Sequence, residues 1–235
     1  MTNLSEYGGG NYYFIESADK IPEMFANELE GLLAVVAQRT KLTIRFPKDQ
    51  VSNPKVYGYL FDVQDNEITI DFNDLYSEEE RGIAIGFDLK PNAQGDIAFD
   101  ATLRYEDVVE TLDKVDVHHQ ILVRPAPDAE TFKAGLNVRA LDNIAQFVGN
   151  DLLEKAIAAM DKRDVATAKQ HLAAAKAYLE GIFKVLQPSE GLQTLNRLIR
   201  EYEGKLEYLA SAPKREVAMA QKMSKSASYY YRNRK

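Results

Sequence analysis

The period of the hydrophobic residues changes twice along this chain, and these changes constrain the fold more than any other feature. Up to about Ala37 apolar residues recur at helical spacing, between Lys41 and Arg124 they alternate over short runs, and beyond Phe132 the helical spacing returns. Apolar residues at every second position line one face of a strand, whereas intervals of three or four line one face of a helix. The pattern predicts an α+β fold.

The central part of the chain is predicted to be an antiparallel β-sandwich over residues 40–128. A half-exposed strand begins at Lys41, with Leu42, Ile44 and Phe46 on one face. Short runs separated by turn-forming residues predict the other strands, at Val56–Asp62, Glu67–Phe72, Gly82–Leu89, Ile97–Tyr105 and Lys114–Arg124. Their close spacing, with no helical pattern between them, favours a sandwich or barrel. The acidic stretch Asp71–Glu80 is interpreted as an exposed hairpin loop.

The C-terminal part is predicted to be a helical domain over residues 129–235. Pro125 and Pro127 mark the linker before it. Apolar residues at helical spacing then indicate two helix pairs, which cover Asp151–Met160 with Val165–Leu186 and Leu192–Leu209 with Lys214–Ser226. We expect an antiparallel bundle or helical hairpins.

The N-terminal 38 residues are predicted to form a strand followed by a helix. Tyr12–Ile15 is a short aromatic and β-branched run that suits a buried strand. Apolar residues from Ile21 to Val36 recur at helical spacing, which predicts one amphipathic helix to about Ala37.

Residues for catalysis or metal binding are sparse. The chain has no cysteine, which excludes disulfides, thiolate nucleophiles and cysteine zinc ligands. His118 and His119 are adjacent in a predicted strand, so they should face opposite sides of the sheet, one at the surface and the other more buried. No nucleophile elbow or phosphate-binding glycine motif occurs. We therefore expect a protein that is not an enzyme and has no cofactor or metal.

Charge is distributed unevenly. From Lys214 onward there are seven basic residues and one acidic residue, so this tail carries +6 and the rest of the chain −13, for a net charge of −7. Aromatic and basic side chains combine in the tail at Tyr229, Tyr230, Tyr231, Arg232 and Arg234. This candidate contact patch could bind an acidic protein surface, and stacking on nucleic-acid bases is a less favoured alternative.

The chain lacks a long apolar segment and a signal peptide pattern. No membrane span is therefore predicted, and the expected location is the cytoplasm.

The segment from Leu4 to Arg45 resembles the end of a von Willebrand factor type A (VWA) domain of bacterial proteins. The resemblance lies in the glycine turn Gly8–Gly10, the strand Tyr12–Ile15 and an "IPxxFxxEL"-like pattern at Ile21–Leu29. The residues from Asp74 to Ile85 and the helical tail resemble the parts that follow the A domain in such proteins. An intact A domain binds a divalent metal through a DxSxS motif, and this chain has none. The resemblance implies the portion beyond the metal-binding half, as part of a longer protein or a natural short form.

These observations predict a protein–protein interaction or scaffold module. A lone terminal strand and helix lack the sheet that would cover them, so we expect them to pack on the β domain, another copy or a separate partner. Four aromatic residues are the expected structural anchors of that segment, namely Tyr12, Tyr13, Phe14 and Phe25. The alternatives are a self-assembling subunit that uses the N-terminal strand and the basic tail, and nucleic-acid binding through the tail.

Overall fold

The structure is a computed structural model and describes residues 35–77, 80–110 and 112–213, together with positions 18, 21, 22, 25, 26 and 222. Within these residues there are seven strands and four helices. The strands are β1 (Val35–Arg45), β2 (Val51–Tyr57), β3 (Phe61–Gln64), β4 (Glu67–Tyr76), β5 (Ala84–Leu89), β6 (Ile97–Asp107) and β7 (Lys114–Val123). The helices are α1 (Ala129–Ala134), α2 (Val138–Asp161), α3 (Val165–Phe183) and α4 (Glu190–Ser211).

Five strands form one antiparallel sheet in the order β3-β4-β1-β6-β7. The alternation predicted for β1 is present, since Ile44 and Phe46 are buried and Arg45 is exposed. On the same face, Ile68 and Ile70 of β4 are completely buried. One face of the sheet thus carries the core, and the other carries mainly polar side chains.

The remaining two strands, β2 and β5, form a small antiparallel sheet. Val51 and Val56 of β2 join the core of the large sheet. Phe87 of β5 lies 5.3 Å from Phe46 and 5.0 Å from Phe99 of β6, between ring centroids. This aromatic contact joins the two sheets through the middle of the large one.

Helices α2, α3 and α4 pack around a separate apolar core. Gly149 permits their close approach, because a Cβ atom there would lie 3.0 Å from Leu195 and 3.4 Å from Leu179. The start of α4 is held by the buried Asp142 of α2, which accepts hydrogen bonds from the backbone N–H and hydroxyl of Ser189, at 3.1 and 2.8 Å. Ser189 is itself the N-cap of α4.

The helices contact the small sheet through α2. Lys55 of β2 donates to Asp151 at 3.0 Å and lies 4.1 Å from the ring centre of Tyr57. Burial opposes the charge on Lys55, but Asp151 outweighs it, so the pKa of the amine is raised. Tyr59 also meets Phe147 of α2, with 6.3 Å between ring centroids. The small sheet therefore lies between the large sheet and the helices.

The general expectation of a mixed fold with antiparallel sheets and C-terminal helices is confirmed. The predicted domain boundaries stay predictions. Tyr12–Phe14 and the proposed N-terminal strand lie outside the described residues, as does the Lys214–Ser226 helix except for one position. Phe25 is helical and 64% exposed, and its role as an anchor stays a prediction.

Three local expectations are wrong. The helix does not extend to Ala37, because β1 begins at Val35, where pairing with β4 and β6 outweighs the helical spacing. The predicted strand Val56–Asp62 is broken at Gly58, whose φ of 80° ends β2, and β3 then joins the other sheet. The acidic stretch is not only a loop, because β4 continues to Tyr76 along β1.

Replacement of a core isoleucine tests whether the buried face of the large sheet contributes more to the free energy of unfolding than the polar face does. We expect Ile70→Ala to lower the free energy of unfolding by about 2–5 kcal/mol, since it leaves a cavity in a fully buried site. Thr69→Ala, one residue away on the polar face, is the matched control and should cost less than about 1 kcal/mol. Urea unfolding measures both, and equal losses would contradict this assignment of faces.

Candidate functional site

Strand β7 forms one edge of the large sheet and places apolar side chains on its core side. Its odd-numbered residues pair with core-facing residues of β6, so that Val117 lies opposite Leu103, Ile121 opposite Phe99, and Val123 opposite Ile97. Residues that are directly opposite in a ladder share one face of the sheet. The apolar side chains of β7 therefore continue the core face beyond β6.

No element among the described residues covers these side chains. Val117 is 48% exposed, Ile121 42% and Val123 47%, and we call these three residues the β7 apolar row. Burial along one cross-strand line shows the cause, because Ile70 of the interior strand β4 is completely buried while Phe61 of β3, at the opposite margin, is 41% exposed. The two-stranded sheet is too narrow to cover five strands.

The backbone edge of β7 is also open. Among the described strands β7 pairs only with β6, so one side of a ten-residue strand has no ladder partner. The β6–β7 ladder runs from Ile97–Val123 to Glu106–Lys114 without a bulge, and β7 contains no proline. Proteins commonly protect edges with bulges, proline or inward-facing charges. In β7 the charged residues Lys114 and Asp116 are near its start, and the core side carries His119 and apolar residues.

Two ion pairs join β7 to β6 on the polar side of the sheet. Arg104 binds Asp116 through two hydrogen bonds of 2.7 Å. Arg124, directly after β7, binds Asp96, directly before β6, in the same two-pronged manner at the other end of the ladder. In each pair the guanidinium group lowers the pKa of the carboxyl group. The two pairs hold both ends of the β7 edge in place.

The rest of the polar face forms a shallow groove of about 690 Å³. Its charged lining mixes both signs, with Arg39 paired to Glu106 at 2.9 Å and Lys41 to Asp71 at 3.5 Å. Because positive and negative groups alternate, this groove lacks the single-sign field that attracts a polyanion.

The histidines of β7 lie on opposite faces, as predicted. Both are exposed, however, so the expectation that one would be more buried is wrong, because β7 lies beyond the cover of the small sheet. A 2.9 Å hydrogen bond joins the His118 Nδ1 to the Thr102 hydroxyl. No group of three potential metal ligands occurs in the part of the chain that the structure describes.

The predicted contact residues of the tail lie outside the described residues. The last continuous stretch of described residues ends at Pro213, and Lys222 is described beyond it. Tyr229, Tyr230, Tyr231, Arg232 and Arg234 therefore remain a prediction.

The β7 apolar row was missed by the sequence reasoning. Alternation predicted the strand and its apolar face, but a pattern along one strand contains no information on which strands lie across from it.

No protein-family model matches the sequence, and no curated protein matches it. Among solved structures, the chain is similar to one titled "von Willebrand factor type A from Catenulispora acidiphila". The identity is 15% and the TM-score 0.56, over 81% of this chain and 45% of the other. A second match is titled "Crystal structure of the ArnB paralog VWA2 from Sulfolobus acidocaldarius", with 16% identity and a TM-score of 0.47, over 95% and 52% of the two chains.

The similarity to the first structure shows a fold shared with part of a VWA protein, which agrees with the resemblance noted in the sequence. This chain spans about half the length of the structures it matches. All the sheet ladders that the structure describes are antiparallel. None of the described helices has the length and apolar character needed to cross a membrane.

The ion pair between β6 and β7 should make stability depend on pH in the acidic range. Asp116 has a folded-state pKa below its ordinary value of 3.8, so its pairing with Arg104 stabilises the protein above that pH and is lost as pH falls through the folded pKa. We expect Asp116→Asn to melt below the unmodified protein at neutral pH, with a difference that shrinks as pH falls below 3.8.

Asp49→Asn, an exposed substitution outside the β6–β7 ladder, is the control. Melting temperatures measured by circular dichroism across this pH range provide the comparison. A difference between Asp116→Asn and the unmodified protein that stays constant with pH would exclude this role of the pair.

Proposed function

We propose that the chain is a non-enzymatic protein-interaction module whose principal contact surface is the β7 edge. The observation that carries this proposal is the exposure of Val117, Ile121 and Val123 on the core face of a sheet. Isolated exposed apolar residues are ordinary, but a row on one strand beside an open ladder edge, interrupted by His119, is a surface suited to a partner.

The chemistry of this surface favours a polypeptide partner. An incoming strand can pair with the open backbone groups of β7, while its alternate side chains cover the apolar row. The mixed charges of the neighbouring groove do not favour a nucleic acid. A protein strand satisfies both the backbone and the apolar side chains.

The fold supports a scaffold role for the chain. We classify the two sheets as a β-sandwich and the helices α2–α4 as a small bundle, joined through α2 and β2. The likeness to part of a VWA structure suggests a module that accompanies an A domain, presenting contact surfaces instead of a metal site. In this proposal the helices brace the small sheet, and the small sheet fixes the position of β6 beside β7.

The basic aromatic tail is proposed as a second contact. Tyr229–Tyr231 with Arg232 and Arg234 would bind an acidic surface of the partner. The strongly acidic remainder of the chain makes self-association through the tail a further form of the same proposal.

Site-specific photocrosslinking tests the contact surface. A photoreactive amino acid at position 121 should give a protein adduct in a lysate of the source organism, because Ile121 lies on the apolar row. The same group at position 41, exposed on the polar face of the central strand β1, is the matched control. Equal adduct yields at both positions, or none at either, would reject the proposed surface.

Deletion of Ser224–Lys235 tests the tail. We expect weaker capture of the partner that is crosslinked at position 121, with the same melting temperature for the body, because the described core ends before the tail. Capture by the truncated chain can be compared with capture by a Tyr229–Tyr231→Ala variant that keeps the basic charges. Undiminished capture by the truncated chain excludes the tail as a contact.

A further inference from the structure

We propose that the strand added to β7 is β7 of a second copy of this chain, in an antiparallel pair with a twofold axis at Gln120. This inference rests on the proposed role of the β7 edge as a contact surface, and it names the partner. The large sheets of two copies would then become one continuous ten-stranded sheet.

The regular backbone of β7 makes such a pair possible. Every residue from Lys114 to Val123 pairs with β6 in unbroken register, so the outward backbone groups also follow a regular spacing. The β1 ladders, in contrast, contain several register shifts, one of them beside Arg39 with a φ of 51°. At the other edge, β3 has only four residues. β7 is thus the longer and more regular of the two sheet edges.

The side chains of β7 are self-complementary on the core face. In a twofold antiparallel pair, residues directly opposite each other lie on the same face. With the axis at Gln120, Val117 lies opposite Val123 of the second copy, and His119 lies opposite Ile121. Each apolar row would pack against the other, and the side chains that the small sheet leaves exposed would lose part of their solvent contact.

The charges of the polar face select this register. With the axis at Gln120, Asp116 lies opposite Arg124 of the second copy, and this pair occurs twice by symmetry. Moving the axis to His119 would place Lys114 opposite Arg124, which is repulsive, and Asp116 opposite Leu122. Moving it to His118 would place Asp116 opposite Gln120. Opposite charges thus meet on both sides of the axis at Gln120.

The ion pairs within each copy extend this arrangement. Asp96 already binds Arg124, and Asp116 already binds Arg104. Across the proposed interface the charges therefore alternate in the order Asp96, Arg124, Asp116 of the second copy and Arg104 of the second copy. Ion pairs linked in a network contribute more than isolated exposed pairs.

Disulfide trapping tests both the partner and the register, because the natural chain contains no cysteine. Gln120→Cys places two thiols opposite each other on the axis and should give a covalent dimer under mild oxidation. His118→Cys and Leu122→Cys are matched single variants on the same face. Alone they should give at least about tenfold less dimer. The Cα atoms of two identical positions would lie farther apart than the roughly 7 Å limit for a disulfide.

A mixture of the two control variants provides the reciprocal test. His118 lies opposite Leu122 of the second copy in the proposed register, so the 118–122 mixed disulfide should form when His118→Cys and Leu122→Cys are combined. Equal trapping at positions 118, 120 and 122 alone, or preferential trapping at His119→Cys, would overturn the inference.

Light scattering of the full chain over a range of concentrations gives an independent measurement. The unmodified protein should show a concentration-dependent dimer, and Ile121→Lys should shift it to monomer because a charge enters the apolar row. Thr43→Lys, on the polar face in the middle of the same sheet, should leave the dimer unchanged. Circular dichroism verifies that both variants are folded.

The outcomes separate this inference from the proposed function. A protein that is monomeric at all concentrations but forms a position-specific adduct with another protein at residue 121 rejects the second copy and retains the interaction surface. A monomer that gives no specific adduct rejects both. A dimer that Ile121→Lys leaves intact places the contact elsewhere and also overturns the inference.

Discussion

The contact between a five-stranded sheet and a two-stranded sheet governs the rest of this structure. Phe87 of the small sheet bridges Phe46 and Phe99, so the two sheets meet over the central strands of the large one. Complete burial is found on the interior strand β4, at Ile68 and Ile70, whereas most side chains of the edge strands β3 and β7 are exposed. Since burial of apolar area is the principal stabilising term, the core is secure at its centre, while the margins need cover from another source.

The small sheet can perform this role because it is supported from behind. A two-stranded ribbon is marginal by itself, and contacts on both faces compensate for the missing neighbours. On one face its valines enter the core, and on the other Lys55 joins Asp151 of α2. Asp142 in turn connects α2 to the start of α4 through Ser189. The helical core therefore stabilises β2 directly and the large sheet indirectly.

Much of this architecture could be predicted from the sequence, because local periodicity reports faces and element types. The strands at Glu67, Ile97 and Lys114 begin where the alternation predicts, and the helix break before Val165 follows from the capping residue Asp164. Periodicity failed where two signals competed. Val35–Thr40 has an apolar spacing compatible with a helix, but pairing on both sides makes it a strand. The break at Gly58 was missed because flanking aromatic residues suit a strand on either side.

The candidate site could not be predicted because it depends on which strands of the large sheet the small sheet covers. The alternation in β7 has the same form as the alternation in β1, yet Ile44 of β1 is buried and Ile121 of β7 is half exposed. The difference arises from strand order and from the width of the opposing sheet, which are properties of the tertiary structure. The ion pairs at the ends of β7 add a second consequence of that order. They hold Asp116 and Arg124 on the polar face at a defined spacing, so the edge presents fixed charges beside its apolar row. The edge therefore combines open backbone groups, a regular register and pre-positioned charges. Because these groups are already ordered, less entropy is lost when an interface forms, and this is the physical reason to expect β7 to be paired.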